Sequence, residues 1–386
     1  MIYGLLLMWL RKSKKMKKIG ILRGLMPRIP QVEFANNFTR IKPVFITGSS
    51  SEEIINYCKK IKIAYRNLPR KQMYPIEPVS LFTRNITHQS WVGVSGLEKA
   101  CADIDVLETY ELYHFFSGQA ADIARKRNIP LICEVWTSFL HPAYFIPPYS
   151  ITVRKVINTA ALFIARSYKA KDALLKLGIS ENKIRVIYHG VDTLRFSPSV
   201  KKRMNNQVTL LYVGELEKHK GVGELLTVWP EILKIYPNTR LILVGKGTLE
   251  AKAQSIKGIT VKGYVSNDTV HTLYKEADVF ISPSINRYIG FLLWWEEFFS
   301  YTLMEAQASG LPVIATNSGG IPEEIGRENL LINQGDEDEL LSTVIALLSN
   351  EKKRIVIGDR NRLRAKKLFD IKKQTQKLES MLLGII

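Results

Sequence analysis

Cysteine is scarce in this chain: Cys58, Cys101 and Cys133 are the whole complement of 386 residues. Three scattered thiols exclude a disulfide framework and a four-thiolate zinc site, and they fit a reducing compartment such as the cytoplasm. Long apolar runs are also missing. A membrane-spanning helix needs about 20 consecutive apolar residues, and Met1–Leu10 supplies half of that. Its basic cluster (Arg11, Lys12, Lys14, Lys15, Lys17, Lys18) follows the apolar run, the reverse of a signal peptide. No Gly-X-Y or heptad period, no repeat of 20–50 residues and no low-complexity tract is present, which excludes fibrous and solenoid classes. No His, Cys, Asp and Glu cluster has metal-ligand spacing, so no metal is expected.

Acidic residues are in deficit, with 36 against 55 lysines and arginines. The imbalance is uneven: residues 1–200 carry 30 basic and 14 acidic side chains, 201–350 carry 14 and 18, and 351–386 carry 11 and 4. Positive flanks around a mildly acidic middle point to an anionic partner, either nucleic acid or a membrane surface. The 46% hydrophobic content is enough for a large core, and the length suggests two domains. Residues 1–16 read as a basic and apolar leader. It is either dispensable, with Met16 as an alternative start, or a short interfacial anchor on acidic headgroups.

From Lys17 onward, short apolar runs alternate with amphipathic stretches. KKIGIL (17–22), PVFITG (43–48), DVLETY (105–110), IPLICEVW (129–136) and ALFIARS (161–167) read as strands. SEEIINYCKKI (51–61) and FSGQAADIARKRN (116–128) read as helices between them. The alternation restarts with VTLLYVG (208–214), TRLILVGKG (239–247), ITVKGYV (259–265), DVFISPS (278–284) and LPVIATNS (311–318). Strands alternating with helices imply βαβ units and parallel sheets. The expected fold is therefore α/β with two doubly wound domains, spanning 17–198 and 199–358. The basic helical stretch 359–386 is expected to return to the first domain.

In open α/β sheets ligands bind beyond the carboxyl ends of strands, and several segments place polar groups there. YVGELEKHKG (212–221) ends a strand at Gly214 and sets Lys218 and Lys220 just before a helix, a natural diphosphate site. LVGKGTLE (243–250) makes a turn with Gly245 and Gly247. SGGIPEEIG (318–326) opens a helix behind Ser318, Gly319 and Gly320, whose backbone N–H groups could hold phosphate or a sugar hydroxyl. In WWEEFFSYTLMEAQASG (294–310), Glu297 and Glu305 are separated by seven residues, Glu297 in a loop and Glu305 inside the next helix. A buried helical glutamate without a partner costs several kcal/mol, whereas two carboxylates facing a crevice can accept hydrogen bonds from vicinal sugar hydroxyls. His189 and Asp192 read as turn residues and Trp294 and Trp295 as packing residues. Glu108 and Glu111 read equally as acceptor ligands or as solvated carboxylates.

In this order, Glu297-x7-Glu305, the glycine and lysine segment at 213–221, the VGKG turn, GYV…LYKEADVFISPS (263–284) and SGGIPE (318–323) resemble the retaining GT-B glycosyltransferases of family four. The resemblance implies two Rossmann-like domains facing each other across a cleft. The second would bind a UDP- or GDP-sugar and the first an acceptor glycan, glycolipid or lipid-linked saccharide. It further implies that Glu305 bonds the ribose hydroxyls, Glu297 the donor sugar and Lys220 the diphosphate, with no metal or other cofactor. Against the family pattern, Glu215 stands where arginine is usual, Phe298-Phe299-Ser300 replaces Gly-Phe-Gly, and Trp136, followed by Thr137, replaces a histidine. With Glu111, these two mark the expected acceptor side. The location expected is cytoplasmic or peripheral on the cytoplasmic membrane face. The competing reading is a basic nucleic-acid- or anionic-surface-binding protein on a degenerate scaffold, but no nucleic-acid reading module is present and no nucleic acid is expected.

Overall fold

The computed structural model describes residues 16–24, 27–48, 50–72, 92–199 and 207–386, so the leader expectation falls almost wholly outside it. The first domain is built on β1 (Lys18–Leu22), β2 (Lys42–Gly48) and β3 (Ala64–Leu68). A small ribbon, β4 (Arg70–Gln72) with β5 (Val92–Val94), stands beside them. Then follow β6 (Val106–Tyr110), β7 (Leu131–Val135), β8 (Leu162–Ala165) and β9 (Ile184–Val186). Seven of these strands form one parallel sheet in the order β3-β2-β1-β6-β7-β8-β9. Its central strands are buried on both faces and mostly apolar, with Glu108 and Glu134 as the buried charged exceptions on β6 and β7. Ile19, Ile21 and Phe45 enter one core layer, and Leu22, Ile46 and Leu107 enter the other.

The second domain repeats the plan with β10 (Val208–Val213), β11 (Thr239–Val244), β12 (Ile259–Val261) and β13 (Val279–Ser282). After an inserted hairpin come β16 (Val313–Thr316) and β17 (Leu330–Ile332). The sheet order is β12-β11-β10-β13-β16-β17, and every pairing is parallel. The hairpin, β14 (Arg287–Ile289) with β15 (Leu292–Trp295), stands apart from that sheet. The edge strands β3, β9 and β17 escape the sequence pattern because they are short and only partly buried, so their apolar runs are weak.

The C-terminal stretch corrects the expected boundary at residue 359. The helix Glu351–Leu368 stays on the second domain, where Asn361 donates to the Leu311 carbonyl and to Asn329 and Arg362 donates to the Ala308 carbonyl. Only the helix Ile371–Leu383 returns, placing Ile371, Leu378 and Leu382 in the first domain's core. The two crossings run side by side: Val191 N–H donates to the Phe369 carbonyl at 2.8 Å, and Ile371 N–H to the Val191 carbonyl at 3.0 Å. Gly190 permits this approach, since a Cβ there would lie 2.5 Å from the Ile371 Cα.

Glu379 anchors the returning helix. Its buried carboxylate accepts the N–H groups of Thr39, Arg40 and Ile41. Burial alone would raise its pKa, but these donors hold it below the usual carboxylate range. A depressed native pKa adds stability above the unfolded-state value, and that stability is lost as pH falls through the native one. Glu379→Gln is therefore expected to lower Tm at pH 7 and to converge on the parent protein under acid conditions, as followed by thermal denaturation between pH 3 and 7. A deficit that persisted unchanged at acid pH would show that the carboxylate charge is not what anchors the helix.

Candidate active site

The carboxyl ends of both sheets face one cleft. On the second-domain side, β10 runs out at Gly214, a 3-10 turn covers Lys218–Lys220, and the helix Val222–Ile235 begins. Lys220 and Glu297 meet here, Nζ to Oε2 at 2.9 Å, and Ser284 Oγ donates to the same oxygen at 3.1 Å. Lys220 also sits 4.2 Å from the centroid of the Trp295 ring. The ammonium is thus fixed between a carboxylate and an aromatic face. Burial would push Glu297 up, but the Lys220 charge and these hydrogen bonds keep it below the ordinary carboxylate value. The Lys220 charge is the largest of the effects that oppose burial at Glu297.

Glu305 lies within the helix Tyr301–Ala308, and its Oε2 accepts the Tyr274 hydroxyl at 2.7 Å. Burial pushes its pKa up to about 7, with the Tyr274 hydrogen bond opposing the rise. Among the described residues this buried carboxyl has no ion-pair partner within 4 Å, and Arg195 acts on it only through its charge. Lys218, by contrast, is exposed and does not join the Lys220–Glu297 pair.

The glycines behave differently from expectation. The N–H of Gly214 is spent on the Val244 carbonyl, that of Gly245 on Gly263 and that of Gly320 on Glu297. These three donors are not available to a ligand. The residues serve close approach instead. A Cβ at Gly245 would fall 1.9 Å from the Gly214 carbonyl oxygen, one at Gly247 2.4 Å from that of Leu216, and ones at Gly319 and Gly320 1.9 Å from those of Glu297 and Phe298. Gly319 also adopts φ +51°. Ser318 is likewise buried; its Oγ accepts Glu297 N–H at 3.1 Å and donates to Asn286 at 2.6 Å. Ser318, Gly319 and Gly320 set the height of the loop that carries Glu297, while Gly245 and Gly247 let their turn pack against the one after β10.

The acceptor-side expectation needs correction at Glu111. It is buried at φ +57°, and its two oxygens take the N–H groups of Trp136 and Thr137 and the Thr137 hydroxyl. Burial pushes it up to about 7. Glu111 shapes the loop after β7, with both of its oxygens already engaged by that loop. Trp136 donates its indole N–H to Glu134 and meets His189 edge-on. Glu108, too, is not solvated: Arg23 bonds it at 2.5 Å and Glu134 at 2.8 Å, and Arg166 reaches Glu134 at 2.7 Å. Burial drives Glu108 up, whereas Arg166 and Arg23 overcome burial and hold Glu134 down. This buried network forms the floor of the cleft on the first-domain side. It was invisible in sequence because its members lie on four separate strand ends.

Other residues that sequence reasoning missed lie between the domains. Glu296, next to Glu297, accepts Ser138 Oγ at 2.6 Å and pairs with Lys169 at 2.9 Å. Glu323 receives the N–H groups of Tyr168 and Lys169 at the start of the helix Tyr168–Lys176. His189 bonds the Tyr301 hydroxyl at 3.1 Å. Arg28, exposed at the start of the helix Ile29–Asn36, lies close enough for its charge to help hold Glu297 ionised. It faces the site from the opposite domain, whereas the sequence, with Glu215 in the usual arginine position, offered Lys218 of the second domain for the missing charge.

The profile of a family described as "Glycosyl transferases group 1" matches residues 207–350, and that of "Glycosyltransferase Family 4" matches 60–195, one in each domain. The chain belongs to glycosyltransferase family 4. It is 24% identical over 288 residues to the sulfoquinovosyl transferase SQD2 of Arabidopsis thaliana, a match covering 68% of this chain and 53% of that protein. It is also 24% identical over 213 residues to a phosphatidylinositol N-acetylglucosaminyltransferase subunit of the same plant, covering 52% and 45%. The chain thus spans about half the length of these relatives. Among solved structures, Anabaena HepE in complex with UDP and glucose aligns with a TM-score of 0.73 at 17% identity, over 95% of this chain and all of that one. That likeness carries the GT-B fold. The Lys220–Glu297 pair and Glu305 lie on the domain matched by the group 1 profile. Among the described residues no helix is long and apolar enough to cross a membrane, and no group of His, Cys, Asp or Glu is arranged to hold a metal ion.

Proposed function

We propose that this transferase moves a hexose from a UDP- or GDP-sugar to a glycan or lipid-borne acceptor with retention of anomeric configuration. The observation that carries the reading is the fixed Lys220 ammonium, held by Glu297 and Trp295 at the end of β10. In this reading Lys220 meets the donor diphosphate, Glu297 the sugar hydroxyls and Glu305 the ribose. Arg28 reaches the same charge from across the cleft, and Lys218 adds a more distant one. These cations stabilise negative charge developing on the leaving diphosphate, the electrostatic form of catalysis that needs no reorganisation. They supply the charge that a metal ion supplies elsewhere.

Retention is part of this proposal, and the buried carboxylates of the first domain bear on its route alone, by arguing against a covalent glycosyl-enzyme. Glu108, Glu111 and Glu134 are all committed to buried hydrogen bonds, so none is free to act as a nucleophile on the far face of the sugar. The acceptor hydroxyl then attacks from the side the diphosphate leaves. The bond from the anomeric carbon to the diphosphate oxygen breaks, the new glycosidic bond forms, and the acceptor proton passes to the departing diphosphate. A lipid-borne acceptor is supported by the basic first domain and by likeness to a protein whose name specifies phosphatidylinositol. The test is calorimetric titration with a panel of UDP- and GDP-hexoses, followed by NMR of the product. Saturable binding of one nucleotide class and an unchanged anomeric configuration are expected. An inverted product would refute the retaining mechanism, and no binding by any nucleotide sugar would refute the donor assignment.

A further inference from the structure

The hairpin β14–β15 leads directly into Glu296 and Glu297, and its tip is exposed among the described residues. Gly290, at φ +59°, opens a two-residue turn, and Phe291 beside it is 92% exposed. Tyr288, Ile289 and Leu292 are exposed as well. The base of the hairpin is firm by contrast. Trp294 packs edge-on against His141 of the first domain at 4.9 Å, and Trp295 packs against Lys220 and His219.

The His141 contact joins the hairpin to a second apolar stretch. Leu140 precedes His141, and after one 3-10 turn Phe145 (61% exposed) and Ile146 also face solvent. Two segments from different domains thus bring unburied aromatic and aliphatic side chains to one rim of the cleft. Residues 138–155 and 285–295 contain no aspartate or glutamate, while Arg154 and Arg287 are exposed among them. Exposed apolar side chains on two segments joined by the Trp294–His141 contact are the kind of surface that marks a docking site. An apolar centre with exposed arginines, whose nearest carboxylates are Glu215 beside His219 and Asp122 paired with Lys155, suits an anionic bilayer interface, where aromatic side chains sit at headgroup depth and arginines meet phosphates.

We propose that the hairpin tip and the Leu140–Ile146 segment together insert into the headgroup region of an anionic phospholipid bilayer, and so hold the cleft mouth over an acceptor embedded in it. This inference rests on the lipid-borne acceptor reading and identifies the surface that would deliver it. The shallow rim, rather than a spanning helix, makes the attachment reversible and sensitive to salt.

The test uses the full chain and two kinds of vesicle, pure phosphatidylcholine and the same lipid with 30% phosphatidylglycerol (roughly the anionic content that gives such surfaces their potential). Co-sedimentation is expected to favour the anionic vesicles and to weaken with salt. Phe291→Asp and Phe145→Asp are each expected to lower that partition at least tenfold. Arg287→Ala is expected to reduce the preference for anionic over neutral vesicles. Because Phe291 and Phe145 stand in solvent, neither substitution touches the core, and nucleotide-sugar binding measured on the same variants should be unchanged. Partition that is unaltered by both aspartate substitutions, or absent in the parent protein, overturns the proposal. So does a concentration-dependent dimer in gel filtration that Phe291→Asp dissolves, which would make a second copy the occupant. Loss of vesicle binding in the variants together with no nucleotide-sugar binding by the parent would leave the membrane surface standing and sink the transferase reading alone.

Discussion

Replacing Lys220 with alanine is expected to lower kcat/KM by about a hundred- to a thousandfold, most of it in kcat. Removing one preorganised donor from a developing anion has an effect of that order. Two further consequences separate this from a general loss of structure. Lys220 supplies the largest of the effects that keep Glu297 ionised, because burial acting alone would raise its pKa. In the variant the carboxyl reverts upward, so the acid limb of the pH–rate profile moves to higher pH. The two residues also act as a unit, and the loss in a Lys220→Ala/Glu297→Gln double variant should be much smaller than the sum of the single losses. Retaining kcat within threefold in Lys220→Ala would remove the lysine from the chemistry, whatever the binding constants did.

The second large effect is expected at Glu305, where function and stability pull in opposite directions. Burial raises its pKa from 4.5 to about 7. A carboxyl with a raised native pKa is destabilising wherever the unfolded chain is ionised and the native one resists. The cost is absent below the unfolded pKa, grows as pH rises between the two values and is complete above the native one. At 1.36 kcal/mol per unit it amounts to about 3 kcal/mol at pH 8. Glu305→Gln keeps the shape, can still accept the Tyr274 hydroxyl and removes the ionisation. Its Tm should rise by several degrees at pH 8 and by little near pH 4.5, as read by scanning calorimetry. Donor affinity should fall at least tenfold, since an ionised carboxylate accepts ribose hydroxyls more strongly than a neutral amide. A variant that gained no stability at pH 8 and bound donor normally would show Glu305 to be an ordinary core residue.

Both predictions concern residues that stand out in the amino-acid sequence itself. The x7 spacing puts Glu297 in a loop and Glu305 about one turn into the helix Tyr301–Ala308, and that reading depends only on local pattern. The same holds for the parallel strands, whose uninterrupted apolar runs (VTLLYV, TRLILV, LPVIAT) have few alternatives to burial on both faces. The lysine before the helix Val222–Ile235 is legible for the same reason: a strand end, a turn and a helix start occur within a dozen residues.

What the sequence could not determine is which polar groups are already spent. Glu108, Glu111 and Glu134 look alike as carboxylates near strand ends. Only the tertiary arrangement reveals that arginines from β1 and β8, and backbone N–H groups from the loop after β7, have taken them. The glycines divide on the same principle. Their presence marks the turns, but whether an N–H points at a ligand or at a neighbouring carbonyl depends on how two turns pack, and here Gly214, Gly245 and Gly320 point inward. Arg28 and the Glu296 and Glu323 contacts join residues more than a hundred positions apart, beyond the reach of periodicity and spacing. Local sequence determined the two sheets, the two glutamates and Lys220, because hydrophobic burial and helix starts are short-range. Hydrogen-bond saturation is decided at long range, so only the folded chain separates the carboxylates that hold the cleft together from those left to meet a substrate.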